Sequence, residues 1–516
     1  MLNKGPIGYR LFGYKGVKLN KNIINAIRRI EMLTRKIERK AKIAFFAVGH
    51  ATYWGQFDGL LDSLLGYHGE VKAIIEENDV ELVDYGMVDS NEKAYAVSGK
   101  INAYAPDLII CDMVTYATSS TFTPIIQNAA APMILVALQP LECLDYTKAN
   151  TFMQLQNDNI CSVPEFMCAA ERLNKKVADV VIGKLYGDDA AKAEITEWCD
   201  IAKVLNGLKG ARIALMGHVL EAMYDMHCDP TAITRSFGIH VPLIEIDTLV
   251  ALAETVTEEE IEAKSALIRE EFELPDPKQD PITMKLTDAD LYSAAKGAVA
   301  LDKLVEKYHL SGMAYYYEGV DDNSAQRKMI SSLIVGNSIL NAEGTPMCGE
   351  FDIKTCVAMY IMDKLDIGGS FAEYHPFDFG GNYILVGHDG PHHLRVANGK
   401  PILRSLKKYH GKPGGGASVE FKLKEGPITL LGITQKGDGS FKFVVGEGTS
   451  AKGAIPPTGN TNTRGFFEPN VRDFVKAWVT ESPTHHFALG IGHKAKTIKK
   501  IADILGIECV IVNDKL

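Results

Sequence analysis

Residues 42–48 (KIAFFAV), 81–85, 107–113 and 132–138 are short runs that are apolar at successive positions, or nearly so. Strands covered on both faces read this way. Helical spacing separates them over 59–78, 91–104 and a short stretch at 124–128. Strands interleaved with helices at this spacing predict βαβ units and a doubly wound parallel sheet. Helical stretches are expected next at 163–185 and 188–205, with a linker at 206–210 where Gly207 and Gly210 bracket a Leu-Lys pair. The pattern then restarts with strands at 211–216 and 241–246, each followed by helices. After Ile367-Gly368-Gly369 helices become scarce, and short strands are expected at 371–374, 383–386, 418–423, 428–434 and 440–445. The turn Lys436-Gly437-Asp438-Gly439 predicts a hairpin. A helix over 471–479 and a helix–strand unit over 494–512 close the chain. The fold class expected is α/β: two doubly wound parallel-sheet domains, 43–206 and 207–367, followed by a mainly antiparallel β C-terminal domain, 368–516, with a basic N-terminal extension, 1–42.

Composition narrows the class. At roughly 150 residues per domain, 516 residues accommodate this plan. Hydrophobic residues at 46% and charged residues at 23% exclude a disordered or fibrous chain. No apolar run approaches the roughly 18–20 residues of a membrane-spanning helix, and the first residues do not read as a cleavable leader. A cytoplasmic protein without membrane association is expected. The nine cysteines form no Cys-x-x-Cys pair, so neither a zinc ribbon nor a disulfide framework is indicated. The net charge of −10 conceals an asymmetry: residues 1–42 hold twelve Lys and Arg against two Glu, so the remainder carries −20. An acidic body argues against nucleic acid as a partner. Within the basic part, Ile23, Ile24, Ile27, Ile30, Leu33 and Ile37 fall at near-helical spacing over 22–42. The segment reads either as an amphipathic helix lying on a partner subunit or as a solvated helix leading into the first strand.

Candidate chemistry follows from element ends. Open α/β sheets bind ligands beyond the carboxyl ends of their strands, which makes Gly49-His50-Ala51-Thr52-Tyr53-Trp54-Gly55 a candidate binding loop. It lacks the dinucleotide fingerprint, and no Walker motif occurs, so neither NAD nor a nucleoside triphosphate is favoured. Gly414-Gly415-Gly416 reads as a loop. Acidic residues cluster near expected element ends: Glu318 after a strand-like run, Glu350-Phe351-Asp352, and Glu373. Histidines follow at His388, His392-His393, His485-His486 and His493. Two carboxylates and two imidazoles would make an oxygen/nitrogen site suited to Mn²⁺ and similar ions. The alternative is that the carboxylates cap helices and the histidines are satisfied in loops or core. Gly390 and Pro391 prevent a helix from presenting His388 and His392 together as a zinc pair. Glu318 reads equally as a substrate contact or an ordinary surface glutamate.

These residues carry a resemblance to the L-arabinose isomerase family, itself related to L-fucose isomerase. The matching segments are Gly349-Glu350-Phe351-Asp352, Phe371-Ala372-Glu373-Tyr374, Val386-Gly387-His388 and His485-His486, in the family's order and at similar spacing. The resemblance implies a metal-dependent aldose–ketose isomerase acting on a free pentose, hexose or deoxy sugar through an enediol. It implies Mn²⁺, or another divalent ion such as Co²⁺, held by Glu350, Glu373, His388 and His486, with Glu350 and Glu373 also acting as acid/base groups. It further implies a homohexamer with active sites shared between subunits. The sugar-contacting positions carried over are Trp54, Gln139, Leu220, His485 and Glu318. Ala51 and Trp54 replace a Gln and a Tyr of the family's first loop, and Leu220 falls near a family methionine, so the pocket is expected to be reshaped. The alternative is a sugar-binding or regulatory paralogue without turnover, with metal-dependent aldol cleavage a weaker possibility.

Overall fold

The computed structural model describes residues 33–279, 285–317, 324–406, 408–409, 412–413 and 416–516. Its first sheet has five parallel strands in the order β2-β1-β3-β4-β5: β1 (Lys42–Val48), β2 (Glu81–Val88), β3 (Leu108–Met113), β4 (Met133–Gln139) and β5 (Asp179–Lys184). The order reverses between β1 and β3, which opens the crevice where doubly wound sheets take ligands. Alternate residues face two cores. Ile43, Phe45 and Ile110 point to one, Ala44, Phe46 and Ile109 to the other, which is why these strands are apolar without interruption.

A second parallel sheet, ordered β7-β6-β8-β9, comprises β6 (Ile213–Met216), β7 (Leu243–Ile244), β8 (Gly312–Tyr315) and β9 (Met347–Cys348). The C-terminal part is mainly antiparallel. Its strands are β10 (Gly368–Asp378), β11 (Tyr383–His388), β12 (Ile402–Ser405), β13 (Lys408–Tyr409), β14 (Lys412–Pro413), β15 (Ala417–Glu420), β16 (Gly426–Gln435), β17 (Phe441–Ala451), β18 (Thr461–Phe466), β19 (Phe487–Ile491) and β20 (Glu508–Ile511). The main sheet runs β16-β19-β10-β11-β18-β17-β20, and β16 also pairs with β17. That extra pairing closes six antiparallel strands into a barrel, with β20 added in parallel on β17. Closure leaves these strands few open edges. Two small hairpins, β12–β15 and β13–β14, stand apart.

The helix Ile353–Lys364 joins the parts. All twelve of its residues are buried, against β6, β8 and β9 on one side and β10, β16 and β19 on others.

Two expectations are corrected. The helix expected over 163–185 ends at Arg172, and β5 follows. Asn174 in the left-handed region (φ 53°) breaks the helix, and the β-branched run Val180, Val181, Ile182 extends the sheet beside β4. The helix expected over 22–42 is absent from residue 33 onward, and its earlier part lies outside the described residues. Over 33–41 the chain instead passes the end of helix 334–343, where the Lys36 and Ile37 amides both donate to the Glu343 carbonyl. Among the described residues no helix is long and apolar enough to cross a membrane.

Candidate metal centre

Glu350 lies just beyond the carboxyl end of β9, in a turn where two successive non-glycine residues occupy the left-handed region: Glu350 (φ 55°) and Phe351 (φ 62°). Such backbone costs energy and persists where its surroundings enforce it. Here the Phe351 amide donates to the Tyr315 carbonyl at 2.8 Å. Asp352 then caps helix Ile353–Lys364, accepting from the Lys354 and Thr355 amides.

The other three candidate ligands come from neighbouring barrel strands. Glu373 on β10 lies opposite Gly387 on β11, and Ala372 opposite Phe487 on β19. His388 ends β11, His486 precedes β19, and Glu373 lies midway along β10 between them, so the three meet at one level of the sheet. Gly387 is required for this approach, because a Cβ there would come 1.9 Å from the Thr461 carbonyl oxygen of β18.

The four side chains converge. His388 Nε2 is 3.6 Å from Glu350 Oε1 and 3.8 Å from Glu373 Oε1, and His486 Nε2 is 3.6 Å from Glu350 Oε2. Glu350 Oε2 and His486 Nε2 are both buried without a hydrogen-bond partner. Uncompensated burial of such groups is costly unless something binds between them. With metal–ligand bonds of about 2 Å, ligand atoms around one ion stand roughly 3–4 Å apart. The donor set and spacing thus fit a divalent ion of the Mn²⁺ type. The side chains of Glu350, His388 and His486 are at most 8% exposed, whereas Glu373 is 31% exposed, so the site opens on the Glu373 side.

Neighbouring groups set the ligands. Asp352 Oδ2 stands 3.3 Å from His486 Nδ1, the arrangement that fixes a ligating imidazole's tautomer and frees Nε2. Burial holds His486 in its neutral form, lowering its pKa to about 3. His388 Nδ1 stands 3.0 Å from Asp389 Oδ1. Burial pulls His388 down, but Asp389, Glu350 and Glu373 together leave it raised. Burial raises Glu350, against the pull of His388 and His485. Phe371 packs on both ligand rings, 4.3 Å from His388 and 4.4 Å from His486 between centroids.

The remaining candidates are distributed as follows. His485 lies beside His486 and bonds Asp225 through Nδ1 at 2.6 Å. Leu220 sits in the loop after β6 that also carries Asp225. Trp54 and Gln139 stand at the carboxyl edge of the first sheet, where Trp54 Nε1 donates to Asp89 and Gln139 Nε2 to the Leu141 carbonyl. No hydrogen bond or ion pair among the described residues joins either to the four ligands. Glu318 lies outside the described residues. His392 and His493 have structural partners in the His388 and Gly448 carbonyls, and His393 lies 3.5 Å from buried Asp363. Asp225, Asp352 and Asp389 did not emerge as site residues from sequence. For Asp352 and Asp389 a signal existed, a capping position before a helix and adjacency to His388; for Asp225 none did.

Comparison with known proteins bears on this geometry. Residues 385–512 match the family model of the L-fucose isomerase C-terminal domain, a span that includes His388 and His486. The L-arabinose isomerase of Oceanobacillus iheyensis is 22% identical over 389 residues, 74% of this chain and 79% of that protein. That of Aeromonas salmonicida is 22% identical over 415 residues, covering 78% and 80%. That of Bacillus subtilis is 23% identical over 343 residues, covering 64% and 66%. A solved carbohydrate transporter from Acidothermus cellulolyticus 11B, in complex with myo-inositol, aligns at 12% identity over 63% of this chain and 98% of that one, with a TM-score of 0.16, too low to inform the fold. The family model and these relatives support an isomerase. Over most of its length the chain is similar, at low identity, to L-arabinose isomerases.

Proposed function

We propose that the chain is a divalent-metal-dependent aldose–ketose isomerase acting on a free pentose or hexose, with Glu350, Glu373, His388 and His486 as ligands. One observation carries this reading: each of four donors remote in sequence lies 3.6–3.8 Å from at least one of the others, two of their atoms buried without partners. A bound ion would supply Lewis-acid polarisation of the sugar carbonyl and so lower the cost of removing the proton on C2, which the carboxylates return to C1. Glu350 and Glu373 supply carboxylates on two sides of the site, one enclosed and one open, placed to move a proton between adjacent carbons. Asp352 and Asp389 hold the two imidazoles in orientation. Phe371 and the buried flank of Glu350 keep water from that side of the site.

The resemblance to L-arabinose isomerases supports a homo-oligomer in which the first sheet of one copy, with Trp54 and Gln139, completes the site of another. The changes at Ala51, Trp54 and Leu220 support a sugar preference different from that of the named relatives. The test is incubation with Mn²⁺ and a panel of aldoses in deuterated water. Ketose carrying deuterium at C1, next to the new carbonyl, is the expected product. Binding of sugar without conversion would identify a paralogue lacking turnover, and cleavage to shorter carbonyl compounds would identify an aldolase.

A further inference from the structure

A lysine is sealed into the first turn of helix Ile353–Lys364. The Lys354 side chain is 1% exposed, and it sits at the positive end of the helix dipole. Burial and the dipole both oppose a cation there. Two contacts offset them. Lys354 Nζ stands 3.3 Å from Oδ1 of Asp352, itself fully buried, and donates to the Met226 carbonyl at 3.1 Å. Among the described residues no other lysine or arginine pairs with Asp352.

The two contacts lead in different directions. Asp352 turns its other oxygen, Oδ2, to His486 Nδ1 at 3.3 Å and accepts from the Thr355 hydroxyl at 2.7 Å. An acceptor in that place decides which imidazole nitrogen keeps its proton and where the ring points, so whatever fixes Asp352 also fixes Nε2 of a candidate ligand. Met226 ends the short turn Tyr224–Met226 in the loop between β6 and the helix Pro230–Phe237, the loop that carries Leu220. One ammonium thus stands between the group that orients His486 and the main chain of that loop.

We propose that Lys354 is a positioning residue of the metal centre, acting through Asp352 on His486, and that it couples ion binding to the loop after β6. The inference rests on the reading of Glu350, Glu373, His388 and His486 as a metal centre. Opening of the loop withdraws the Met226 carbonyl, frees Lys354 to shift, and loosens Asp352. By reciprocity an ion that fixes His486 holds the loop closed.

The experiment uses the full chain, stripped of metal and titrated with Mn²⁺ alone, with calorimetry for affinity and amide hydrogen exchange for the loop. Lys354→Met should bind Mn²⁺ about 10–100-fold more weakly than wild type, as loss of an orienting partner does. Asp352→Asn should lose a similar factor, and the double variant should bind about as weakly as the weaker single variant, because the two residues act in series. In wild type, saturating Mn²⁺ should slow exchange over residues 217–229 about 10-fold or more, and the slowing should vanish in Lys354→Met. A lysine that only supports packing would leave the Mn²⁺ affinity of the folded variant unchanged. Affinity in Lys354→Met within about twofold of wild type, or losses that multiply in the double variant, would overturn the proposal and leave the four-ligand centre intact. So would loop exchange in wild type that Mn²⁺ does not change, a result obtained even if a variant fails to fold. No specific Mn²⁺ binding by wild type would overturn both readings.

Discussion

Replacing Arg35 by alanine tests whether the N-terminal segment holds the central helix in place. Arg35 grips Asp363, near the end of helix Ile353–Lys364, with two parallel bonds of 2.8 and 2.6 Å and a third to the Asp363 carbonyl at 2.8 Å. A fork of this kind is among the stronger polar contacts. Asp363 is fully buried. Burial pushes its carboxyl up, but the bonds from His393 and Arg35 more than reverse this and hold it at about 2 against an ordinary 3.8. A difference of this size corresponds to about 2.5 kcal/mol. Stripping a buried ion of its only partner costs about 3–5 kcal/mol. Asp363 keeps Arg395 at 3.4 Å, so about 2 kcal/mol is the expected loss for Arg35→Ala.

Because the folded pKa is depressed, this contribution is complete above about pH 4 and is lost as pH falls through about 2. The penalty of Arg35→Ala is therefore full at neutral pH. In a chain with several cores a single global midpoint would blur the effect, so the assay is amide hydrogen exchange of residues 353–364. A loss of 2 kcal/mol in local opening speeds exchange about 30-fold. Arg35→Lys keeps the charge but not the fork and should fall between. Exchange in Arg35→Ala within about twofold of wild type would refute the claim that this contact secures the helix.

Glu350→Gln and Glu373→Gln should each lower ketose formation at least 100-fold, measured with saturating sugar and Mn²⁺; near-native turnover in both would remove these residues from the chemistry. Gly387→Ala places a methyl 1.9 Å from the Thr461 carbonyl oxygen, so β11 must separate from β18, and a fall of at least about 1–3 kcal/mol in stability is expected, read from the denaturant midpoint. His68 lies buried between Asp112 at 2.7 Å and Asp84 at 3.1 Å; burial opposes its charge, but the two carboxylates raise its pKa to about 9. Its stabilisation, about 3 kcal/mol, is thus complete below about pH 6.5 and fades as pH rises through about 9, so the drop in Tm from pH 7 to pH 10 should be larger in wild type than in His68→Asn.

The first sheet was legible because its strands are buried on both faces and therefore apolar throughout, and β1, β3 and β4 fall within a residue of the expected runs. β5 was not, because it is the edge strand and Ile182 on it is 61% exposed, so burial left no uniform stamp. β18 (TNTRGF) escaped for the opposite reason. Its threonines are buried and satisfied, Thr463 by Ser450 at 2.6 Å and Thr461 by the Val419 carbonyl at 3.0 Å, and such a strand resembles a loop in composition. The helix Ile353–Lys364 is covered on every side, which erases the 3.6-residue period that marks a surface helix.

The site divides along the same physical line. Ligand types are legible because few residues bind divalent ions, and glycines beside them announce element ends. What sequence order does not carry is the meeting of a turn after β9 with three barrel strands, since that depends on register: a one-residue slip of β10 against β11 would turn Glu373 to the other face. The orienting carboxylates grade the difficulty. Asp389 is next to its histidine, Asp352 betrays itself as a helix cap, and Asp225 reaches His485 across 260 positions. Only a packed tertiary structure brings that last pair together.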